Sequence, residues 1–285
     1  MSSKKIAFLF LTIDNPNFPK IWDSYFRGHK DKYSIYLHPK YPSKVTWKNK
    51  NIIKNLQETE WGFIVHAYIE LFRAAYQDPE NQKFVTISES DVPIQRFSKF
   101  YDDCMSDSRS WIKFKKIKNY NLKERINKQP KKDRPKHFIK HLARFCLNRE
   151  HVKQLLQKNK EQQLEFFYHM HVGDEFFLSV LYPIHNVKNF AVTYDDWNYV
   201  NLELQKIKEK KKQLYELQEK NGKNYSQSLK KLQNNYNQIA KNPKSITNVR
   251  DDLHFIKQCP SYFYRKFTKK SNIADYWKEI IQAHS

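Results

Sequence analysis

Three short stretches carry side chains whose types and spacing could do chemistry. Residues 169–182 read HMHVGDEFFLSVLY, which sets Asp174 and Glu175 side by side ahead of an apolar run. Residues 85–94 read VTISESDVPI, with Glu89 and Asp91 two apart, and residues 259–267 read CPSYFYRKF, with Arg265 and Lys266 inside an aromatic cluster. A carboxylate at the mouth of a pocket, backed by Phe176 and Phe177, has its pKa pushed toward the range of a general base, which makes Glu175 a candidate for proton transfer. Gly173-Asp174 before an apolar run places Asp174 where a carboxylate caps a helix. His169 and His171 with a carboxylate would suit zinc, but spacings such as H-E-x-x-H are absent. Glu89 and Asp91 have the spacing at which two carboxylates hold a divalent cation against a pyrophosphate, although Ser88 and Ser90 interleave and Pro93 closes the loop. Cations held against a pocket wall count for more than cations on an open surface, and this is the expectation for Arg265 and Lys266.

These residues need elements to position them. KIAFLFLTI and YSIYLHP read as strands, with PKIWDSYFRGH between them as a helix. WGFIVHAYIELFRAAYQDP places Ile64, Ala67, Tyr68, Leu71 and Ala75 at helical spacing and stops at Pro79. KFVTIS then reads as a third buried strand, REHVKQLLQKN as a helix and KNFAVTYDDW as a further strand. Strands alternating with helices indicate a mainly parallel sheet. Ligands of such sheets bind outside the carboxyl ends of the strands, so the loops after Thr12, Leu37 and Ile87 are the informative ones, and Thr12, Ser88 and Glu89 fall among the candidate ligand contacts. Residues 201–241 differ in texture: Leu202, Ile207, Leu214 and Leu217 recur amid charge, and Asn221-Gly222 supplies a turn. That pattern predicts a polar helical hairpin.

The chain has 285 residues, enough for a substantial core, and its 15% aromatic content argues for a packed protein despite a mean hydropathy of -0.88. The apolar run IAFLFLTI is far short of the roughly 20 residues that span a bilayer and makes a poor signal peptide. Cys104, Cys146 and Cys259 are odd in number and widely spaced, which suggests neither a disulfide framework nor a cysteine zinc site. A cytoplasmic, reducing location is the expectation from these features. The net charge is +22, and residues 113–160 hold 17 Lys and Arg against 3 Asp and Glu. Such a balance favours anionic partners: nucleic acid, a membrane surface or a phosphorylated small molecule. Aromatic residues interleave sparsely with the basic run, which weighs against single-strand nucleic-acid binding. Peripheral contact with an anionic membrane stays open.

Taken together, KIAFLFLT, W-x2-YFRGHKDKYSIYLHP, the WGF…SESDVPI segment, HVGDEFFLSVL, VTYDDW and FYRKF resemble the core-2/I-branching β-1,6-N-acetylglucosaminyltransferases and their peptide-O-xylosyltransferase relatives. The resemblance covers most of the chain except about 108–135 and 201–241. It implies an α/β fold of the GT-A type, a Rossmann-like domain spanning residues 1–285 with a mainly parallel central sheet and the 201–241 hairpin inserted. It also implies an inverting transfer from a UDP-sugar to a glycan hydroxyl, without a divalent metal. By that resemblance Glu175 is the base, Lys266 with Arg265 binds the diphosphate, Arg250 is a second diphosphate contact, and Trp197 and Tyr199 line the acceptor pocket. Arg125 and Lys140 fall near substrate contacts without an assigned role. UDP-N-acetylglucosamine is the first-choice donor, with UDP-xylose and UDP-glucose open. In an inverting transfer one carboxylate suffices, so Asp174 is expected to cap and orient while Glu175 acts. The competing expectations are an inactive relative kept for carbohydrate binding or assembly, and a basic nucleic-acid binder.

Overall fold

The computed structural model describes residues 4–117, 135–240 and 243–284. Strand β1 (Lys5–Thr12), helix α1 (Pro19–Phe26), β2 (Tyr33–Pro39), α2 (Val65–Tyr76) and β3 (Asn81–Ser88) follow one another as the alternating pattern predicts. β1 pairs in parallel with β2 on one side and with β3 on the other. A strand covered on both faces reads as a continuous apolar run, and Ile6 to Phe10 are all fully buried. Their side chains alternate between two cores. Ala7 and Leu9 join Tyr68, Phe72 and Phe177, whereas Ile6, Phe8 and Phe10 join Trp22, Phe26, Phe97 and Phe100.

Short β4 (Val92–Pro93) leads into α3 (Phe97–Ser106), β5 (Ser110–Trp111) and β6 (Phe114–Ile117). After residues 118–134, which lie outside the described residues, come β7 (Phe138–His141), β8 (Cys146–Asn148), α4 (Arg149–Leu155) and α5 (Glu161–Tyr168). The order in the main sheet is β2-β1-β3-β8-β5 with β9 (Val187–Lys188) at the edge. β8 runs antiparallel to its neighbours, so the sheet is mixed but mostly parallel. β6 and β7 form a separate antiparallel ribbon.

β10 (Thr193–Asp195) precedes the long helix α6 (Trp197–Asn221), which Asp196 caps by accepting the Tyr199 N–H. Gly222, at φ 66°, ends it, and α7 (Ser226–Ile239) turns back. Lys211 bonds Gln233 across the pair and lies with Lys208 over the Tyr236 ring. Then follow α8 (Leu253–Gln258), β11 (Phe263–Arg265) and α9 (Ile273–Ala283). β11 sits between β10, parallel, and β4, antiparallel. This small sheet joins the C-terminal segment to the loop after β3.

Two expectations need correction. Residues 173–181 form two 3-10 turns, Gly173–Glu175 and Phe177–Leu181, rather than an α-helix. Residues Phe176 to Leu181, apolar but for Ser179, are all buried, so no amphipathic stripe favours a regular helix. KNFAVTYDDW is two short strands with a break between them. The three cysteines are free and buried. Among the described residues no helix is long and apolar enough to cross a membrane.

Phe8 meets Phe26 and Phe100 edge to face, with centroids 4.8 and 5.9 Å apart. Phe8→Ala is expected to cost about 3–5 kcal/mol, read as a lowered urea midpoint with an unchanged slope.

Candidate active site

The turn that carries Glu175 is braced from two sides. On one, the Val172 N–H donates to the Gly62 carbonyl at 2.7 Å. Gly62 has φ 86°, and a Cβ there would stand 2.8 Å from the His171 ring; only glycine combines this backbone with so close a neighbour. Gly173 is packed against the Phe167 carbonyl so tightly that a Cβ would overlap it. On the other side lies β7. The Ile139 N–H donates to Ser179 Oγ at 3.0 Å and the Leu178 N–H to His141 Nε2 at 3.4 Å. Burial lowers the His141 pKa to about 4, so the ring is neutral. Lys140, between these two anchored residues, places its Nζ 2.8 Å from Glu175 Oε2.

Asp174 does not cap a helix. Val172 occupies the cap position of the first 3-10 turn, and no side-chain capping bond is made there. The Asp174 carboxyl is buried, and burial together with the neighbouring Glu175 raises its pKa to about 6, against the opposing pull of Arg144 and Arg265. The two histidines diverge: His169 pairs with Glu165 at 2.8 Å, and His171 packs beside Trp61 and Phe63.

Beneath the turn lies a buried ionic network. Asp91 is fully buried and accepts the Ser88 N–H and hydroxyl at 2.8 and 2.7 Å. Arg144 Nε donates to the same carboxylate at 3.2 Å, and Arg265 Nε stands 3.4 Å away. Arg144 also donates to the Tyr68 hydroxyl at 2.8 Å, while Arg265 reaches Asp195 at 3.2 Å. Burial alone would lower the Arg144 pKa, but Tyr68 and the surrounding carboxylates raise it. Burial raises the pKa of Asp195 and of Glu89, with Arg144 and Arg265 opposing.

The loops at the carboxyl edge converge on this network. The Phe267 N–H donates to the Ser90 carbonyl at 3.1 Å, Asn17 Nδ2 to the Phe267 carbonyl at 2.9 Å, and the Asn17 N–H to the Glu89 carbonyl at 2.8 Å. The loops after β1 and β3 and the C-terminal RKF segment are therefore one unit. Lys266 lies within it; burial, then Arg265, lower its pKa, and Glu89 opposes them. Thr12 is buried and donates to the Asp14 carbonyl at 2.7 Å, and Ser88 is held by Asp91. Arg265 is spent on Asp91 and Asp195 rather than aimed at open solvent. Arg250 is exposed on a 3-10 turn, Val249–Asp251, and forms no ion pair among the described residues. Trp197 and Tyr199 begin α6, directly after Asp195; the Tyr199 ring is 46% exposed and carries Lys244 5.0 Å above it. Arg125 lies outside the described residues.

Sequence reasoning missed Arg144, Tyr68 and Asp195. An arginine inside the apolar run LARFCLN was the available signal, because a buried charge needs a partner. Asp91 was noticed only as half of a metal pair. Both its oxygens are already engaged, Oδ2 by Arg144 and the Ser88 N–H, Oδ1 by the Ser88 hydroxyl with Arg265 3.4 Å away.

A mostly parallel α/β sheet whose carboxyl-edge loops gather carboxylates and cations into one cluster is the arrangement of an enzyme of the α/β class. The Core-2/I-Branching enzyme family model matches residues 6–229, and the chain belongs to that family. The matched span runs through α6 into α7. Among curated proteins, the chain is similar to Glycosyltransferase BC10 of Oryza sativa subsp. japonica, with 31% identity over 119 residues. That match covers 38% of this chain and 30% of the relative, under a third of its length.

Arg144→Met leaves Asp91 with one fewer cation in a dry site and is expected to cost about 3–5 kcal/mol, with Asp91→Asn in the same background recovering part of it in a denaturation cycle. For Asp174, a pKa raised from 3.8 to about 6 means that the folded state holds the proton more tightly than the unfolded chain. Its contribution therefore weakens as pH rises from 4 to 6. Asp174→Asn is expected to flatten that part of the stability profile and to raise stability at pH 7 by at most about 3 kcal/mol.

Proposed function

We propose that the protein is an inverting glycosyltransferase that moves a sugar from a UDP-sugar to a hydroxyl of a glycan acceptor. Family membership and the likeness to a glycosyltransferase support the class. The observation that carries the mechanism is the placing of Glu175, held by Lys140 at 2.8 Å, and of Lys266 around one network at the carboxyl edge of a GT-A-like sheet. Glu175 takes the proton of the acceptor hydroxyl as its oxygen bonds to the anomeric carbon. The bond from that carbon to the UDP oxygen breaks on the opposite face, and UDP leaves. Lys266 stabilises the charge gathering on the diphosphate. Arg265 holds the segment that presents Lys266. Trp197 and Tyr199 offer aromatic faces to the acceptor, and N-acetylglucosamine is the first-choice sugar.

A metal-independent route is favoured because Asp91, the carboxylate two residues from Glu89, is already engaged by Arg144, Arg265 and Ser88. A divalent ion there would compete with Arg144 and Arg265 for the same carboxylate.

Calorimetric titration of UDP is expected to show binding that survives EDTA and weakens at least tenfold in Lys266→Ala. Glu175→Gln is expected to keep UDP affinity and lose about 10²–10⁴-fold in kcat. UDP binding that appears only with manganese would overturn the metal-independent mechanism, and unchanged turnover in Glu175→Gln would remove the assigned base.

A further inference from the structure

A groove of about 430 Å³ runs over the surface between α2, α5 and the loop before α2. Phe63 and Tyr168 supply aromatic walls, and Gln57, Glu70 and Glu165 supply polar groups along the rim. The groove adjoins the turn of the proposed base. Phe63 and Trp61 flank His171, with ring centroids 5.6 and 5.1 Å away, and His171 stands four residues before Glu175 on the braced segment. Trp61 is 60% exposed. A lone exposed aromatic is ordinary, but here the exposed indole and Phe63 of the groove wall pack on the same histidine of the segment that leads to a candidate catalytic turn.

Two properties narrow the occupant. Flat aromatic faces beside a few hydrogen-bonding groups suit a ligand with one apolar face and a polar edge, as a pyranose ring presents. The groove is also lined by Glu70 and Glu165 in a chain of net charge +22. Two carboxylates on its wall oppose phosphate-rich ligands, which the rest of the surface would attract. The polar rim is already hydrogen-bonded at the surface: Glu165 to His169 at 2.8 Å, and Glu70 to Arg73 at 3.1 Å. The exposed Glu165–His169 pair exchanges with water and with hydroxyl groups at small cost.

We infer that this groove, together with the exposed Trp61 that shares the His171 contact with Phe63, is a secondary subsite for a neutral oligosaccharide, and that it holds the part of an acceptor glycan remote from the reacting hydroxyl. The inference rests on the proposed transferase reading only for the word acceptor; binding itself does not depend on it. A chain of sugars bound here would be delivered to the Glu175 turn by the same segment that fixes His171.

The test uses the full chain and an array of immobilised neutral oligomers, two to six units of β-linked N-acetylglucosamine, galactose, glucose or xylose, with an oligolysine peptide as the competing class. Calorimetry with the best oligomer follows. Wild type is expected to bind at least one oligomer. Trp61→Ala and the rim variant Glu165→Ala are each expected to weaken it about tenfold, while UDP affinity and UDP-sugar hydrolysis are unchanged. In turnover, acceptor KM is expected to rise about tenfold for acceptors of three or more units and to stay fixed for a single sugar. Glu165 is exposed and lies away from the turn, so its variant reports on the groove even if Trp61→Ala disturbs His171. No binding on the array, equal binding by both variants, or preference for oligolysine overturns the subsite. UDP binding without oligomer binding would sink the groove and leave the transferase; oligomer binding without UDP binding would do the reverse.

Discussion

The contact on which the rest of the site depends is the pair between Arg144 and Asp91. Asp91 is wholly buried and Arg144 nearly so, and each is the other's hydrogen-bonded charge partner. A buried ion pair adds little to stability compared with an apolar substitute, but breaking it is expensive. Its value here is positional. Arg144 comes from the strand end before β8, Asp91 from the loop after β3, Tyr68 from α2 and Arg265 from β11. Four segments far apart in sequence can close only in the arrangement that satisfies all of them.

The turn with Glu175 depends on a different kind of constraint. No single strong bond holds it. Backbone closeness at Gly62 and Gly173, and the ties from Ile139 and His141 to the turn after it, leave it one conformation. Buried apolar packing then locks that conformation, because Phe176 and Phe177 enter the core formed around α2. The aromatic residues act as anchors. Burial, then the neighbouring Glu175, raise the proton affinity of Asp174.

The parallel strands were legible in the sequence because doubly covered strands must be continuously apolar, and KIAFLFLTI and KFVTIS are. α1 and α2 were legible from helical spacing and a proline stop. The 173–181 segment was not, since consecutive apolar residues fit a buried helix and buried 3-10 turns equally well. Lys140 was seen without a role because its link to Glu175 runs through β7, a strand whose pairing partner β6 lies across the basic segment. Arg144 was passed over since an arginine near the end of an apolar run reads as a boundary until a buried carboxylate is found facing it. Spacing identifies residues on one element; convergence of elements is a property of the fold.

The sign of the charge separates two length scales. Across the chain an excess of 22 positive charges sets a field that draws anions toward the protein over about a Debye length, roughly 8–10 Å at physiological salt. Inside the site the balance differs: Asp91, Asp174, Asp195, Glu89 and Glu175 face Arg144, Arg265, Lys266 and Lys140. Two of those cations are committed to buried carboxylates, so the site does not present a broad basic surface. Lys266 sits half-buried among them, and burial disfavours its charge. Long-range attraction gathers anions over the whole surface, whereas inside the site each cation's charge is set by the carboxylates and the burial around it.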